Sequence, residues 1–284
     1  MAKIIKAESA GFCFGVRRAI KISQEAAKIF KKRGVFMLGD VVHNELVVRK
    51  LQSWGIKKVE SIKSIPAGAI LIIKAHGAGP RVYKESKRKK LKVIDATCPM
   101  VKDIHKKAVL LEKRGYKVII IGDKAHEEVK GICGYIKSYC IISSPKDVKA
   151  LPPLVDKAGI VCQSTQDPEN VASIIKKIIP RCREILFFNT ICNPTLQHQK
   201  EAQEISKKTD AMFVLGSKKS ANTKRLYKIC KKINPRTYWI TGDTPLEKNI
   251  LRGVKTIGIT AGASTPDFVI EEFKKNIRFL LNNP

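Results

Sequence analysis

The chain has 284 residues, 44% of them hydrophobic, and its 55 lysines and arginines outnumber 25 aspartates and glutamates, giving a formal charge of +30 at pH 7. This length and hydrophobic fraction predict two or three compact lobes with a buried core. No run of eighteen apolar residues occurs, which excludes a membrane-spanning helix. The first residues carry charges and lack an apolar stretch of signal-peptide length, so we expect a cytoplasmic protein.

Strand-like and helix-like segments alternate along the whole chain. The apolar runs that predict strands are 35–42, 69–74, 92–94, 117–121, 159–162, 184–188, 211–215, 237–241 and 256–260. The amphipathic stretches that predict helices are 16–32, 101–114, 168–179, 196–208, 223–232 and 266–281. This alternation predicts an α/β fold with mainly parallel sheets, in which ligands bind at the carboxyl ends of the strands.

The positive charge favours polyanions, phosphorylated metabolites and acidic proteins as partners. Nucleic acid is an unlikely main partner, because the basic residues form only short clusters such as 31–33 and 87–90. Aromatic residues make up only 6% of the chain, too few for a series of stacking platforms.

Polar residues follow most of the predicted strands. They comprise three histidines, several hydroxyl side chains and one asparagine: His43, His76, His126, Ser164, Thr165, Ser220, Asn222 and Ser264. Together with glycine-containing turns at helix starts, such groups form a suitable cradle for a diphosphate. Ser220, Asn222, Thr223 and Ser264 are equally well explained as helix caps, and capping is compatible with binding. His105 and His198 lie inside predicted helices, which favours packing or solvent-exposed roles.

Three of the eight cysteines lie about ninety residues apart, and each follows a strand-like run within a turn-forming stretch. Thiolates of Cys13, Cys98 and Cys192 can converge on one metal centre and leave one coordination position open, as a reactive iron–sulfur cluster requires. No C-x-x-C pair occurs, which argues against a structural zinc site. The other five cysteines, at 133, 140, 162, 182 and 230, are predicted to be packing residues.

These segments resemble the motifs of the 4-hydroxy-3-methylbut-2-enyl diphosphate reductases, the IspH/LytB family, over nearly the whole chain. In chain order the matching segments are Gly11–Val16, Val42–Asn44, Ala75–Gly77, Asp95–Pro99, His126–Val129, Thr190–Cys192, Gly216–Thr223 and Thr260–Pro266. The resemblance implies three similar α/β lobes in a trefoil around a central cavity. We expect the lobes to comprise residues 14–97, 98–192, and 193–284 with 1–13.

The resemblance also implies a site and a reaction. Cys13, Cys98 and Cys192 would hold a [4Fe-4S] cluster with one open iron, and this iron would take the hydroxyl oxygen of an allylic diphosphate substrate. Two electrons and two protons would then release water and give isopentenyl and dimethylallyl diphosphates. Residues implied to bind the substrate are His43, His76, His126, Ser164, Thr165, Ser220, Asn222 and Ser264.

Glu128 is implied to be the proton source for the departing hydroxyl, with His126, Ser164 and Thr165 as further catalytic residues. Surrounding negative charge and poor solvation disfavour ionisation of such a carboxyl and keep a proton available. An acidic residue in a first helical turn is favourable in any case, so Glu128 is also explained as a helix start.

The chain departs from the family pattern at several positions. Gln163-Ser164-Thr165 replaces Gln-Thr-Thr, so either Ser164 or Thr165 carries the site hydroxyl, and strict alignment favours Ser164. Ala221 replaces a serine, Glu127 replaces a proline, and residues 193–199 differ from the usual loop.

Two other function classes remain open at this stage. A dinucleotide-binding oxidoreductase fits the alternating elements, but no Gly-x-Gly-x-x-Gly follows the first strand. A phosphate-ligand or nucleic-acid-binding protein with a structural metal site is the alternative to the reductase.

The basic surface suits an acidic electron donor such as a ferredoxin or flavodoxin.

Overall fold

The computed structural model describes residues 2–242 and 248–282. The described residues form two compact units. Unit 1 is drawn from Met1–Val16, His43–Val47 and Asn193–Pro284, and unit 2 from Arg17–Val42 and Val48–Cys192. Across the described residues, every helix is too short or too polar to traverse a lipid bilayer.

Three parallel four-stranded sheets contain the strands of the described chain. Sheet A, in unit 1, has the spatial order β11 (Thr237–Ile240), β10 (Ala211–Leu215), β12 (Thr256–Ala261) and β1 (Lys3–Lys6). Sheet B, in unit 2, has the order β3 (Ile56–Val59), β2 (Val35–Leu38), β4 (Ile70–Ile73) and β5 (Lys92–Asp95). Sheet C, also in unit 2, has the order β7 (Tyr139–Ile142), β6 (Lys117–Ile121), β8 (Val155–Cys162) and β9 (Cys182–Phe188).

The predicted α/β class is confirmed, with one parallel sheet within each of the three predicted lobes. The lobe boundaries themselves stay predictions. Residues 1, 243–247, 283 and 284 of the predicted third lobe lie outside the described residues.

The three sheets share one topology. In sheets B and C the four strands follow one another along the chain. Numbered in that chain order, they lie side by side in the spatial order second, first, third and fourth. Sheet A repeats this order, except that its fourth strand, β1, comes from the start of the chain. The connection therefore reverses direction between the first and third strands of each sheet, at the position where open α/β sheets bind ligands.

Nine α-helices occur among the described residues. They are α1 (Phe14–Ile29), α2 (Glu45–Ser53), α3 (Pro80–Arg88), α4 (Pro99–Lys113), α5 (Glu127–Cys133), α6 (Pro168–Ile178), α7 (Asn193–Ser206), α8 (Ala221–Ile233) and α9 (Asp267–Asn282). Three of them, α3, α4 and α6, begin with a proline at the first helical turn, where its missing N–H costs nothing.

Sheet A shows how the core forms. All five residues of β10 are fully buried. Phe213 on one face packs with Phe273 and Ile277 of α9, whereas Met212 and Val214 on the other face pack with residues of α7 and α8. Because both faces are covered by helices, this strand is continuously apolar and not alternating, as is typical of parallel sheets.

The three strands that the sequence did not predict are β1, β3 and β7, and each lies at the edge of its sheet. An edge strand has one neighbour and is partly exposed, so its sequence needs fewer apolar residues. The segments Lys3–Lys6 and Ile56–Val59 accordingly each contain two lysines. The helices that were not predicted, α2, α3 and α5, are short, with nine, nine and seven residues.

His105 is a packing residue on α4 and is not exposed to solvent. Its ring is 6% exposed and stacks on Tyr135, with 4.5 Å between the ring centroids. Gly77, at a φ of +76°, approaches the same ring so closely that a Cβ at this position would lie 2.9 Å from His105 Cε1. Burial lowers the pKa of His105 from 6.5 to about 4.

This lowered pKa predicts a loss of stability in mild acid. Between pH 6.5 and pH 4 the unfolded chain binds a proton at His105 that the folded chain does not, so the free energy of unfolding falls as pH falls. For the unchanged protein, we expect the His105 contribution to lower the free energy of unfolding by up to about 2 kcal/mol between pH 7 and pH 5. In His105→Gln this part of the decrease should be absent. Urea unfolding of both proteins at these two pH values measures this difference, and equal decreases would contradict the assignment.

Candidate active site

The predicted site residues follow the two central strands of each sheet. His43 follows β2 and His76 follows β4, His126 and Glu128 follow β6, and Ser164 follows β8. In unit 1, Ser220 and Asn222 follow β10, and Ser264 follows β12. These are the first and third strands of each sheet, between which the connection reverses, so the topology positions every one of them at a ligand-binding edge.

The three predicted cluster cysteines occupy equivalent places on the three sheets. Each follows the fourth strand and directly precedes a helix: Cys13 precedes α1, Cys98 precedes α4 and Cys192 precedes α7. The backbone N–H of each cysteine donates to a carbonyl two residues beyond the end of the adjacent third strand. These carbonyls belong to Ala263, Ala75 and Ser164, at 3.1, 3.0 and 3.0 Å.

This repeated geometry suits metal ligands. The positive end of a helix dipole stabilises a negative charge at the helix start, and all three sulfurs belong to residues at such a start. Each of these cysteines is also partly exposed and not enclosed in a core. The donor set of three such thiols suits a metal centre of the iron–sulfur kind.

The other cysteines are in different surroundings. Cys162 and Cys230 are buried, and burial raises the pKa of Cys162 to about 12 and that of Cys230 to about 11. Burial also raises the pKa values of Cys133, Cys140 and Cys182. These five side chains are therefore protonated thiols at neutral pH. Burial of Cys162 and Cys230 agrees with a packing role, whereas Cys133, Cys140 and Cys182 are partly exposed and their packing role stays a prediction.

Glu128 and Ser164 form a buried pair in unit 2. The Glu128 side chain is 2% exposed. Ser164 donates to it twice, from its backbone N–H to Oε1 at 2.6 Å and from its hydroxyl to Oε2 at 2.7 Å. Both carboxyl oxygens are thus held in place by one residue at the end of the neighbouring strand β8.

His126 caps the helix that carries Glu128. Its Nδ1 accepts a hydrogen bond from the Glu128 backbone N–H at 3.2 Å. A ring nitrogen that accepts cannot carry the proton, so the neutral imidazole has its N–H at Nε2. His76 lies edge-on to this ring, with 5.5 Å between the centroids.

Glu127 differs from its neighbour Glu128. Its carboxylate forms ion pairs with Lys74 and with Lys130, the latter at 3.0 Å. Partial burial opposes ionisation, but the hydrogen bonds and charges of the two lysines outweigh it and lower the pKa of Glu127 to about 2. Glu127 is therefore ionised at neutral pH, and its departure from the family pattern concerns an ion pair between Lys74, the residue after strand β4, and helix α5.

The hydroxyls of Ser164 and Thr165 have different partners. Ser164 donates to Glu128, whereas the Thr165 hydroxyl oxygen accepts from the Gln163 side chain at 2.9 Å. The geometry thus brings Ser164 into contact with the predicted proton source.

The polar residues of unit 1 converge at the ends of β10 and β12. The Ser264 hydroxyl donates to the His43 carbonyl at 3.1 Å, and the Ser220 hydroxyl caps α8 by accepting from the Thr223 N–H at 3.3 Å. Asn222 is 3% exposed, and neither polar atom of its side chain has a hydrogen-bond partner among the described residues. A buried amide with both ends unsatisfied is uncommon and indicates a place for a ligand.

Two hydrogen-bonded pairs beside the predicted site residues were not predicted from the sequence. The Arg18 guanidinium donates to the Thr97 carbonyl at 3.0 Å and so fixes the residue before Cys98. The Ser217 hydroxyl donates to Glu45 at 3.1 Å, beside Lys219 at 3.5 Å. The partners in these pairs are 79 and 172 residues apart along the chain, so no local sequence pattern predicts the contacts.

Known proteins with the same motifs decide the family. A model of the LytB protein family matches residues 4–278. The chain belongs to the LytB family. The predicted family is therefore confirmed. The prediction of an oxidoreductase is confirmed with it, because relatives that match this chain over nearly its whole length are named as reductases.

Two curated LytB relatives illustrate the similarity. The 4-hydroxy-3-methylbut-2-enyl diphosphate reductase of Pelobacter propionicus is 40% identical over 271 residues, 95% of each chain. The reductase of the same name from Aquifex aeolicus is 39% identical over 283 residues, 98% of this chain and 96% of its own.

Two solved structures are also similar. The E-1-hydroxy-2-methyl-but-2-enyl-4-diphosphate reductase of Plasmodium falciparum has a TM-score of 0.89 and 32% identity, covering 96% of this chain and 87% of its own. A structure of (E)-4-hydroxy-3-methyl-but-2-enyl diphosphate reductase, described as the terminal enzyme of the non-mevalonate pathway, has a TM-score of 0.70 and 38% identity. It covers 98% of this chain and 99% of its own.

In this member of the LytB family, Asn222 offers a test that separates binding from stability. We expect Asn222→Ala to raise KM for a diphosphate substrate at least tenfold but to change the free energy of unfolding by less than about 1 kcal/mol, because no intramolecular hydrogen bond is lost. The matched control is Asn234→Ala. Asn234 is also buried, but it donates to the Thr209 carbonyl at 2.7 Å and accepts from the Arg236 N–H at 2.8 Å.

The control is expected to lose about 1–3 kcal/mol of stability, since its removal leaves buried backbone groups unsatisfied, while KM of the remaining folded enzyme stays within about twofold. Substrate titrations and urea unfolding measure both quantities. A large stability loss in Asn222→Ala with an unchanged KM would contradict a ligand-binding role.

Proposed function

We propose that this chain reduces 4-hydroxy-3-methylbut-2-enyl diphosphate to isopentenyl and dimethylallyl diphosphates, the last step of the methylerythritol phosphate pathway. Two electrons and two protons are consumed and the allylic hydroxyl leaves as water. The names of the full-length relatives support the substrate. The buried carboxyl of Glu128, hydrogen-bonded to the Ser164 hydroxyl, supports the chemistry most directly, because this reaction needs a proton donor shielded from water.

Cys13, Cys98 and Cys192 would bind one [4Fe-4S] cluster and leave one iron for the substrate. Their equivalent positions at three helix starts support this assignment, and so does the contrast with the buried, protonated thiols of Cys162 and Cys230. When bound, the cluster supplies a Lewis-acidic iron and a path for two electrons.

The substrate's diphosphate would be held by His43, His76, His126, Ser220, Asn222 and Ser264. Asn222 contributes an amide that lacks a hydrogen-bond partner in the part of the chain that the structure describes, and His126 contributes the N–H of Nε2. Ser220 lies at the start of α8, where backbone N–H groups and the helix dipole also favour an anion.

Proton delivery would run from Glu128 through Ser164. In the structure the Ser164 hydroxyl donates to Glu128 Oε2; with Glu128 protonated this bond would reverse, so that Glu128 donates to the Ser164 oxygen while the serine passes its own proton to the leaving oxygen. His126 positions Glu128 through its backbone N–H. Thr165, whose oxygen accepts from Gln163, is proposed as a second hydroxyl contact to the substrate.

We also propose a cytoplasmic location and an acidic electron donor of the ferredoxin or flavodoxin type. The net charge of +30 supports an acidic donor, whose docking should weaken as ionic strength rises. Donor binding that is insensitive to salt would contradict this part of the proposal.

The decisive experiment is anaerobic purification followed by an absorption spectrum, an iron determination and a turnover assay. We expect a brown protein with about four irons per chain that converts the allylic diphosphate when supplied with a chemical reductant. A protein that stays colourless and iron-free after reconstitution would refute the reductase. It would favour the alternative of a phosphate-binding protein without a cluster.

A further inference from the structure

A separate cavity lies within unit 2, along one face of α4. Its volume is about 590 Å³, within the range of small-molecule pockets. The α4 residues that line it recur at helical spacing, from Lys102 through Lys106 to Lys113, so the cavity runs along about three turns of the helix. None of the proposed catalytic, substrate-binding or cluster residues lines it.

One side of the cavity is aromatic and apolar. Tyr83 from α3 and the stacked pair of His105 and Tyr135 line it. Val109 and Leu110 of α4 add aliphatic surface, and Leu110 is 37% exposed. Flat walls of this kind pack against a planar ring.

The charged groups of the cavity are unequally matched. Lys102 is paired with Asp95 at 2.6 Å. Lys106 and Lys113 are both exposed and make no ion pair with any residue that the structure describes. Two uncompensated ammonium groups at the rim of an apolar cavity attract a phosphate or carboxylate.

The end of the cavity near Lys102 carries hydrogen-bonding groups. Asp95 accepts from the backbone N–H and the hydroxyl of Thr97, and both residues line the cavity. Burial raises the pKa of Tyr83 to about 12, with the Asp95 charge contributing, so its hydroxyl stays protonated. These groups can bind the polar edge of a ring.

We propose that this cavity is a second ligand site for a planar aromatic anion of the nucleotide type. The ring packs between the tyrosines and the aliphatic surface of α4, its polar edge faces Thr97 and Asp95, and its phosphate meets Lys106 and Lys113. The proposal does not depend on the reductase activity, since the two sites share no residue.

The test is isothermal titration calorimetry of the anaerobically purified full-length protein with AMP. We expect saturable binding, and at least tenfold weaker binding of adenosine, which lacks the charge, and of inorganic phosphate, which lacks the ring. Lys106→Ala and Lys113→Ala should each weaken AMP binding about fivefold or more. Lys107→Ala is the matched control: Lys107 is the next residue on α4, pairs with Asp103 at 2.7 Å, and lies outside the cavity.

Saturating inorganic diphosphate should leave AMP binding unchanged if AMP occupies this cavity and not the proposed substrate site. Displacement of AMP by diphosphate would overturn the proposal. So would the absence of AMP binding, equal affinity for phosphate alone, or an equal loss of affinity in Lys107→Ala.

Discussion

Replacing Glu128 with glutamine is expected to lower kcat by about 10²–10⁴-fold, the contribution typical of a positioned general acid. Glutamine keeps the shape of the side chain, and its carbonyl oxygen can still accept from the Ser164 N–H at the position of Oε1. It cannot release a proton. Iron content, absorption spectrum and KM should therefore stay close to those of the unchanged protein, and a steady-state assay with a chemical reductant measures the loss.

The matched control is Glu127→Gln, one residue earlier on the same helix. Glu127 is ionised and forms ion pairs with Lys74 and Lys130, so it carries no proton to donate at neutral pH. We expect turnover within about threefold of the original and a small loss of stability, as for other partly exposed ion pairs. If both variants lost activity to the same extent, Glu128 would be a residue of the fold and not the proton source.

Ser164→Ala adds a second measurement. It removes the hydroxyl that donates to Glu128 Oε2 but keeps the backbone donor to Oε1. A proton relay through this hydroxyl predicts that Ser164→Ala lowers kcat at least tenfold, whereas Thr165→Ala acts mainly on KM. The reverse pattern would assign the relay to Thr165.

Changing any one of Cys13, Cys98 and Cys192 to serine is expected to reduce iron content and turnover at least about tenfold. Substitutions in the surroundings of a metal ligand already cost 10–100-fold in affinity, and a ligand matters more. Serine is close to cysteine in size but is a hard oxygen ligand, which suits an iron–sulfur cluster poorly. Iron determination and the cluster's absorption, measured anaerobically, report the loss.

Cys230→Ser is the control for these three variants. Cys230 is buried, its thiol is protonated, and it lies on α8 in an apolar cluster with residues of β10 and α7. We expect the variant to keep its iron and activity and to lose some stability from burying a hydroxyl. Retention of the full cluster by any of the three single variants would remove that cysteine from the proposed ligand set.

Much of the fold could be predicted from the sequence because a buried parallel strand appears there as a continuous apolar run. The predicted ranges 117–121 and 211–215 agree with β6 and β10, whose residues are buried on both faces. The edge strands β1 and β7 could not be predicted in this way, because partial exposure lets lysine, tyrosine and cysteine occupy them. The seven residues of α5 are also too few to show a helical period.

The site could be predicted only as a set of residues, not as a set of contacts. Strand-end position and family motifs indicated Glu128 and Ser164, but their hydrogen bond joins residues 36 apart and depends on β6 and β8 being neighbours. The different partners of the Ser164 and Thr165 hydroxyls likewise depend on the direction in which each side chain points. Lack of a partner at Asn222 is a property of packing, which no sequence pattern encodes.

The position of β1 has a consequence for the order of folding. Sheets B and C are each built from consecutive segments, whereas β1 pairs with β12 across about 250 residues, with Lys3 opposite Thr256. A nascent chain can therefore complete sheets B and C before strands β10 to β12 of sheet A are synthesised. The N–H of Cys13 finds its acceptor, the Ala263 carbonyl, only after β12 has left the ribosome. We therefore expect Cys13, the first of the three cysteines to be translated, to be the last to be fixed in place, so that the three cysteines are in position together only after β12 has been synthesised.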